Sequence, residues 1–287
     1  MTAPELAEPT SVPQACDLLA GRPDDAKVIA GGTAVVLMMR QRLISPGLLV
    51  SLDRIAGLDR IAVLDGHLTI GASATLSEVT ASEVVRRHAP ALARACGLVA
   101  NVRVRNAATL GGNLAEADYA SDPPAMLSCL GASCVVDGPE GRREVRVAEL
   151  ITGFYSTVLS PAEIITEIRV PIASDGQSST YLKYNSRSSE DRPCVGVAAS
   201  LVTRNEVISD LRIAVGAVAS APVVLPDVCR RAAGRTLDED TIDLLADSYS
   251  GSIEPMDDAR GSAWYRTEMI RVFVHRALQD LSSPVEP

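Results

Sequence analysis

Apolar and polar positions divide the first third of the chain into short alternating elements. Ser11 to Ala20 carries apolar residues at helical spacing, and Lys27 to Ala30 is an apolar run of strand length. Gly31-Gly32 breaks that run, after which Val35 to Leu43 resumes with a helical, Met-rich pattern and Leu48 to Leu52 reads as another strand. Both strands are mainly apolar, as buried parallel strands tend to be, so the segment predicts a compact βαβ unit.

A second α/β region begins near residue 57. Strand His67 to Ala72 leads to Thr75-Leu-Ser-Glu78, a capping-box spacing that starts a helix running to about His88. A helix over Ala91 to Val99 precedes a basic–apolar alternation, Val102-Arg-Val-Arg-Asn106, and then Ala108 to Asn113, read as a short strand broken by paired glycines. Pro123-Pro124 fits the first turn of a helix through Leu130. Strands Ser133 to Val136 and Arg143 to Val147 flank the turn Asp137-Gly-Pro-Glu-Gly141, and Glu163 to Val170 closes the region.

Composition shifts at Ala173 to Ser179, a polar stretch that reads as a linker. Beyond it lie strand-like runs at Thr180 to Tyr184, Val195 to Thr203 and Leu211 to Ala219. Helical patterns follow at Leu225 to Ala233, Thr241 to Tyr249 and Ser262 to Leu281. The expected division is residues 1–175, in lobes of about 1–56 and 57–175, followed by 176–287 as a three-stranded sheet with a helical layer, an α+β arrangement with α/β lobes.

Composition narrows the function. The formal net charge is −9, which argues against nucleic acid or an anionic membrane as partner. It leaves room for one bound dinucleotide, because backbone amides hold a pyrophosphate without cationic side chains. No apolar run is long enough to span a bilayer and no signal pattern opens the chain, so a cytoplasmic location is expected. The six cysteines form no Cys-x-x-Cys pair and the three histidines lack zinc-site spacing, so no metal site is expected. No nucleophile-elbow pattern is present either, and no catalytic residue is assigned.

The chemistry-bearing feature is a pair of loops, Ala30-Gly31-Gly32-Thr33-Ala34 and Thr109-Leu110-Gly111-Gly112-Asn113, each read as following an apolar strand. Glycine lets the backbone approach a ligand and turn successive amides into one concavity, and the first loop also opens a helix. Thr33 and Asn113 offer side-chain donors. Each Gly-Gly is equally the sequence of a tight turn, and the usual G-x-G-x-x-G dinucleotide fingerprint is absent.

Taken together, Ala30 to Thr33, Ile70-Gly-Ala72, Val104-Arg-Asn-Ala-Ala-Thr-Leu-Gly-Gly-Asn113, Asp122-Pro-Pro-Ala125, Leu159-Ser-Pro-Ala-Glu-Ile164 and Tyr181-Leu-Lys-Tyr184 resemble the FAD-binding medium subunits of molybdenum hydroxylases, the carbon monoxide dehydrogenase and xanthine dehydrogenase group. The resemblance runs from about Val12 to Leu281. It implies the vanillyl-alcohol oxidase and p-cresol methylhydroxylase type of fold, with FAD between two lobes, and it assigns both glycine loops to the FAD phosphates. Asp122 matches an aspartate that meets ribitol or ribose hydroxyls, although a helix N-cap before Pro123 is the other reading. By the same resemblance Ile165 packs near the flavin edge and Lys183 lies near the flavin, where an ammonium would stabilise negative charge on the reduced ring. Lys183 also reads as a solvated strand lysine, and Tyr184 as lying along the ring or facing the core.

The resemblance implies an iron–sulfur (2Fe-2S) subunit and a molybdopterin subunit as partners, in a dimer of heterotrimers, with this chain passing electrons to an outside acceptor. A self-sufficient FAD oxidoreductase and a flavin-less scaffold or nucleotide-sensing subunit stand as alternatives. Two positions depart from the family pattern. Ala34 replaces a Ser or Asp, and Arg192-Pro193 stands where relatives carry an apolar residue in a segment that faces the flavin. Arg192 either reaches the ring or pairs with Glu190 or Asp191.

Overall fold

Residues 3–174 and 176–282 are described by a computed structural model; the expected boundary at residue 175, like Met1-Thr2, lies outside them. The first lobe is a parallel sheet of β1 (Glu5–Ala7), β2 (Ala26–Ile29) and β3 (Leu48–Ser51), with β3 in the centre. Helix α1 (Val12–Ala20) is capped by the Ser11 hydroxyl, which accepts from the Gln14 amide. It lays Ala15, Cys16 and Leu19 on the buried Leu48 and Val50. The polar segment Glu5-Leu6-Ala7 carries no strand signal, and backbone pairing with Leu48 to Val50 makes it one. Helix α2 (Val35–Arg40) is shorter than its apolar pattern, because Arg42 turns left-handed at φ 61°. None of its residues is buried, and Val36 and Leu37 are exposed.

The second lobe is built on an antiparallel sheet of β4 (Ile61–Leu64), β5 (His67–Gly71), β6 (Ser133–Gly138), β7 (Gly141–Arg146) and β10 (Ile164–Pro171), in the order β4-β5-β10-β6-β7. Between β5 and β6 run α3 (Leu76–Ala81), α4 (Glu83–His88), α5 (Pro90–Gly97), α6 (Val102–Arg105), α7 (Leu110–Glu116) and α8 (Asp122–Cys129). The Thr75/Glu78 capping box forms as its spacing predicts, but Ser82 ends α3 and caps α4, so the single expected helix is two. The basic–apolar alternation at 102–105 is a helical turn capped by Asn101. Between β7 and β10 lie α9 (Val147–Leu150) and a small hairpin, β8 (Ile151–Gly153) with β9 (Ser156–Thr157).

Glu163 fastens the start of β10 to the β6–β7 hairpin. Its carboxylate accepts from Arg143 Nε at 2.6 Å, Arg143 Nη2 at 2.8 Å and the Ser160 amide at 2.7 Å. These donors, Arg143 foremost, hold its carboxyl down at about 2. A carboxylate with a depressed folded value adds stability that is present above its ordinary titration range and is lost as the pH falls toward about 2. Since Arg143 is 42% exposed, the contribution is discounted to about 1 kcal/mol. Glu163→Gln should remove it, seen as a urea midpoint lowered at neutral pH and converging on that of the parent in acid.

The last segment forms an antiparallel sheet of β11 (Gln177–Tyr184), β12 (Val195–Arg204), β13 (Val207–Gly216) and a two-residue edge strand, β14 (Val223–Val224). Helices α10 (Pro226–Arg230), α11 (Glu239–Ser252) and α12 (Ala263–Ser282) complete the chain. The three long strands and helical layer match the sequence expectation, and β14 adds a short fourth strand. A second layer was not expected. Val197, Ala199 and Val215 face the helical side, whereas Ala198, Ala214 and Tyr181 join the core of the second lobe. There they meet α8, whose eight residues are all buried. Strand β12 thus lacks polar alternation because both of its faces are covered.

Candidate cofactor site

The first glycine loop packs on the approach to the second. A Cβ on Gly31 would lie 1.6 Å from the Ala107 carbonyl oxygen, so the backbone of the first loop rests directly on the residues that lead into the second. Gly32 completes the turn at φ 69°. Ala34 is the N-cap of α2 and makes no side-chain capping bond, so the departure from Ser or Asp leaves the first amides of that helix without a side-chain partner. A concavity of about 410 Å³, lined by Gly31, Gly32, Thr33, Val36, Leu37 and Arg40, opens on this loop.

The second loop is built differently from its expectation. It is not a broken strand. Thr109 is the N-cap of α7, joined to Thr75 by a single β-bridge, and the glycines occupy the first helical turn. Its amides are already bonded within the protein: Leu110 to the Ala74 carbonyl, Gly111 to Ala72, Gly112 to the Thr109 hydroxyl and Asn113 to the Thr109 carbonyl. The acceptors of Leu110 and Gly111 come from the 72–74 turn, which the local sequence does not reveal, and those of Gly112 and Asn113 from Thr109. Gly111 is locked against Ala72, with a would-be Cβ 2.5 Å from the Ala72 Cβ. Gly112 is exposed, and what it offers a ligand is bare backbone. The Asn113 carboxamide oxygen accepts from Ser121, leaving its NH2 as the donor group.

Asp122 and Lys183 come together. Lys183 Nζ donates to Asp122 Oδ2 at 3.0 Å and to the Leu98 carbonyl at 2.8 Å, and Tyr181 Oη donates to Asp122 Oδ1 at 2.7 Å. Their side chains are 3% and 4% exposed, so Lys183 is not a solvated strand lysine. Nor is Asp122 an N-cap. Ser121 holds that position, and Asp122 is the first helical residue of α8, where the helix dipole favours a carboxylate. Burial pushes the Asp122 carboxyl up to about 6, against the opposing pull of Lys183 and of the Tyr181 hydrogen bond. Tyr181, which the sequence did not single out, is fully buried, and its phenol lies well above its ordinary value for the same reason.

Ile165 is buried beside the irregularity in β10 between Ile165 and Glu167. Tyr184 packs in the C-terminal core, its ring 5.0 Å from Phe273 and its hydroxyl bonded to Tyr265. Arg192 pairs with neither Glu190 nor Asp191 but with Asp118, at 2.6 Å, in the loop between α7 and α8. The same loop carries Tyr119, whose hydroxyl donates to Asp258 at 3.0 Å and accepts from Arg260 at 2.9 Å. Tyr119 also meets Phe154 edge-on at 5.3 Å, and Phe154 and Tyr155 form an exposed aromatic corner. His275 lies between Glu239 and Asp243, a grouping of α11 with α12 that sequence spacing does not reveal.

An α/β lobe is thus set against an antiparallel one, with the glycine backbone of the first resting on the segment that leads into the second glycine loop. The model of the family described as FAD binding domain in molybdopterin dehydrogenase matches residues 2–173, and that of the CO dehydrogenase flavoprotein C-terminal domain matches residues 180–281. The carbon monoxide dehydrogenase medium chain of Hydrogenophaga pseudoflava is 33% identical over 96% of this chain and 95% of the relative. The xanthine dehydrogenase FAD-binding subunit of Escherichia coli O157:H7 is 27% identical over 93% and 91%. In solved structures, a chain of the Hydrogenophaga pseudoflava carbon monoxide dehydrogenase superposes with a TM-score of 0.94 at 33% identity, covering 97% of this chain and 96% of its own. A chain of quinoline 2-oxidoreductase from Pseudomonas putida 86 gives 0.91 at 29%, covering 98% and 99%. The chain belongs to the family of FAD-binding medium subunits of molybdenum hydroxylases, and FAD is its cofactor.

Proposed function

We propose that this subunit takes electrons from an iron–sulfur partner, itself supplied by a molybdopterin subunit that oxidises the organic substrate, and delivers them to an external acceptor. The observation that carries the reading is the contact of Gly31 with Ala107, which sets two glycine loops side by side. FAD, when bound, supplies the exchange between one-electron and two-electron transfer. The chain's own part is to bind and orient it. Gly31, Gly32, Thr33 and the uncapped start of α2 supply donors to the phosphates. Gly112 supplies close approach, with Asn113 NH2 beside it. Ile165 and Lys183 belong to the wall toward the flavin, and Asp122, on the side of the ribitol or ribose hydroxyls, neutralises Lys183.

A dimer of heterotrimers in the cytoplasm is the assembly we infer. Six buried free cysteines suit a reducing compartment, and among the described residues no helix is long and apolar enough to cross a membrane. Gly112→Asp tests the phosphate assignment. The site is exposed, and the nearest atom to an added Cβ is the Thr109 hydroxyl at 2.7 Å, so the fold is spared the backbone clash that a side chain at Gly31 meets. A carboxylate facing a diphosphate is expected to weaken FAD binding at least about 100-fold, the scale of like-charge juxtaposition. Unchanged flavin content in the purified complex would refute the assignment.

A further inference from the structure

We infer that Tyr181 is a positioning residue of the FAD site: by donating its phenolic hydrogen to Asp122 it holds that carboxylate ionised against Lys183, and so sets the charge that Lys183 presents to the flavin. This rests on the proposed placement of Lys183 in the flavin wall.

The geometry is specific. Tyr181 and Lys183 stand two residues apart on β11, on the same face of the strand, and each takes one oxygen of Asp122. Gly196, the residue of β12 opposite Lys183 in the ladder, makes room for the phenol, since a Cβ there would sit 2.4 Å from Tyr181 Oη. The hydroxyl is fully enclosed, and among the described residues the one hydrogen bond it makes to a side chain is the one to Asp122. A buried phenol without a partner costs free energy, so the bond is held firmly. The charged and titratable groups that bear on Asp122 are Lys183 and Tyr181 from β11, Asp118 from the preceding loop and Cys96 from α5. Of these, Lys183 and Tyr181 favour the carboxylate, and Asp118 opposes it.

When Asp122 is ionised, the pair carries no net charge toward the cleft. When it takes up a proton, Lys183 keeps its positive charge without a counter-ion, and the wall favours the more negative, reduced flavin. The flavin potential therefore rises as the pH falls through the Asp122 transition. Its position reports the Tyr181 bond, because a donor to the charged form lowers a carboxyl's proton affinity.

The test is a spectroelectrochemical titration of FAD in the intact complex over a pH range that brackets Asp122. The parent should show an inflection in the potential near the Asp122 value of about 6. In Tyr181→Phe that inflection should move up by about one pH unit, a tenfold gain in proton affinity, with flavin content unchanged. An inflection that stays in place would reduce Tyr181 to a packing residue and overturn the proposal. Lys183→Met separates the two readings. If its potential and pH profile equal those of the parent, Lys183 does not face the flavin and the placement itself fails. If they differ while Tyr181→Phe matches the parent, only the role of Tyr181 fails. Should Tyr181→Phe not assemble, Gly196→Ala, which pushes first on the hydroxyl, must move the inflection in the same direction.

Discussion

Alanine at Gly31 will strip the subunit of FAD. A methyl group there would have to occupy space 1.6 Å from the Ala107 oxygen, and the obstruction is backbone, which cannot swing aside as a side chain would. Relief requires the first lobe to withdraw from the segment that leads into Thr109. We expect a cost of at least about 3 kcal/mol, the upper range for overpacking, together with loss of the proposed phosphate site. Gly32→Ala is the control. Its added methyl meets Val36 at 3.3 Å, and the left-handed φ of 69° costs about 1 kcal/mol for a non-glycine residue. Flavin-to-protein ratio and thermal midpoint should therefore fall steeply for Gly31→Ala and modestly for Gly32→Ala. Equal effects would show that the loops need only flexibility and not contact.

The second large effect belongs to the buried pair. Asp122→Ala leaves the Lys183 ammonium enclosed with only the Leu98 carbonyl, and Lys183→Met leaves Asp122 with only Tyr181. Removing one partner of a buried ion pair costs about 3 to 5 kcal/mol. In a chain of this size that lowers the thermal midpoint by roughly 5 to 8 °C. Replacing both, as in Asp122→Leu with Lys183→Met, should recover most of the loss, since an apolar pair has no desolvation to offset. A double variant as unstable as the sum of the singles would mean that the two side chains do not form a coupled pair.

The sequence made the elements legible where periodicity and caps agree, as at Ser11, at Thr75 with Glu78, and at the Asp137 to Gly141 turn. It also made the first glycine loop legible, since a strand, two glycines and an apolar helix leave few other arrangements. The second loop was misread as a broken strand. Its amides are bonded by the 72–74 turn and by Thr109, which are long-range and capping contacts that a local pattern does not carry. Asp122 and Lys183 were both singled out, yet nothing in a separation of sixty-one residues says that they meet. Tyr181 was quoted within a motif and given no role, because a buried tyrosine and its partner are visible only once β11 lies across α8. For Arg192 the sequence left open the flavin ring or the neighbouring Glu190 and Asp191, and the fold supplied a distant partner, Asp118.

Strand β10 has a bearing on how the chain comes to be assembled. It is the central strand of the second lobe's sheet and also the last of that sheet to be made, so while a ribosome is still short of residue 171 the sheet exists only as two separate hairpins, β4–β5 and β6–β7, with open inner edges. Those edges pair only when β10 arrives between them, which gives this lobe a long-range closing step and a period of exposed, association-prone backbone during synthesis. The second glycine loop is set only by that closure, since Ala72, which anchors Gly111, is itself pinned by its amide to Thr166 of β10.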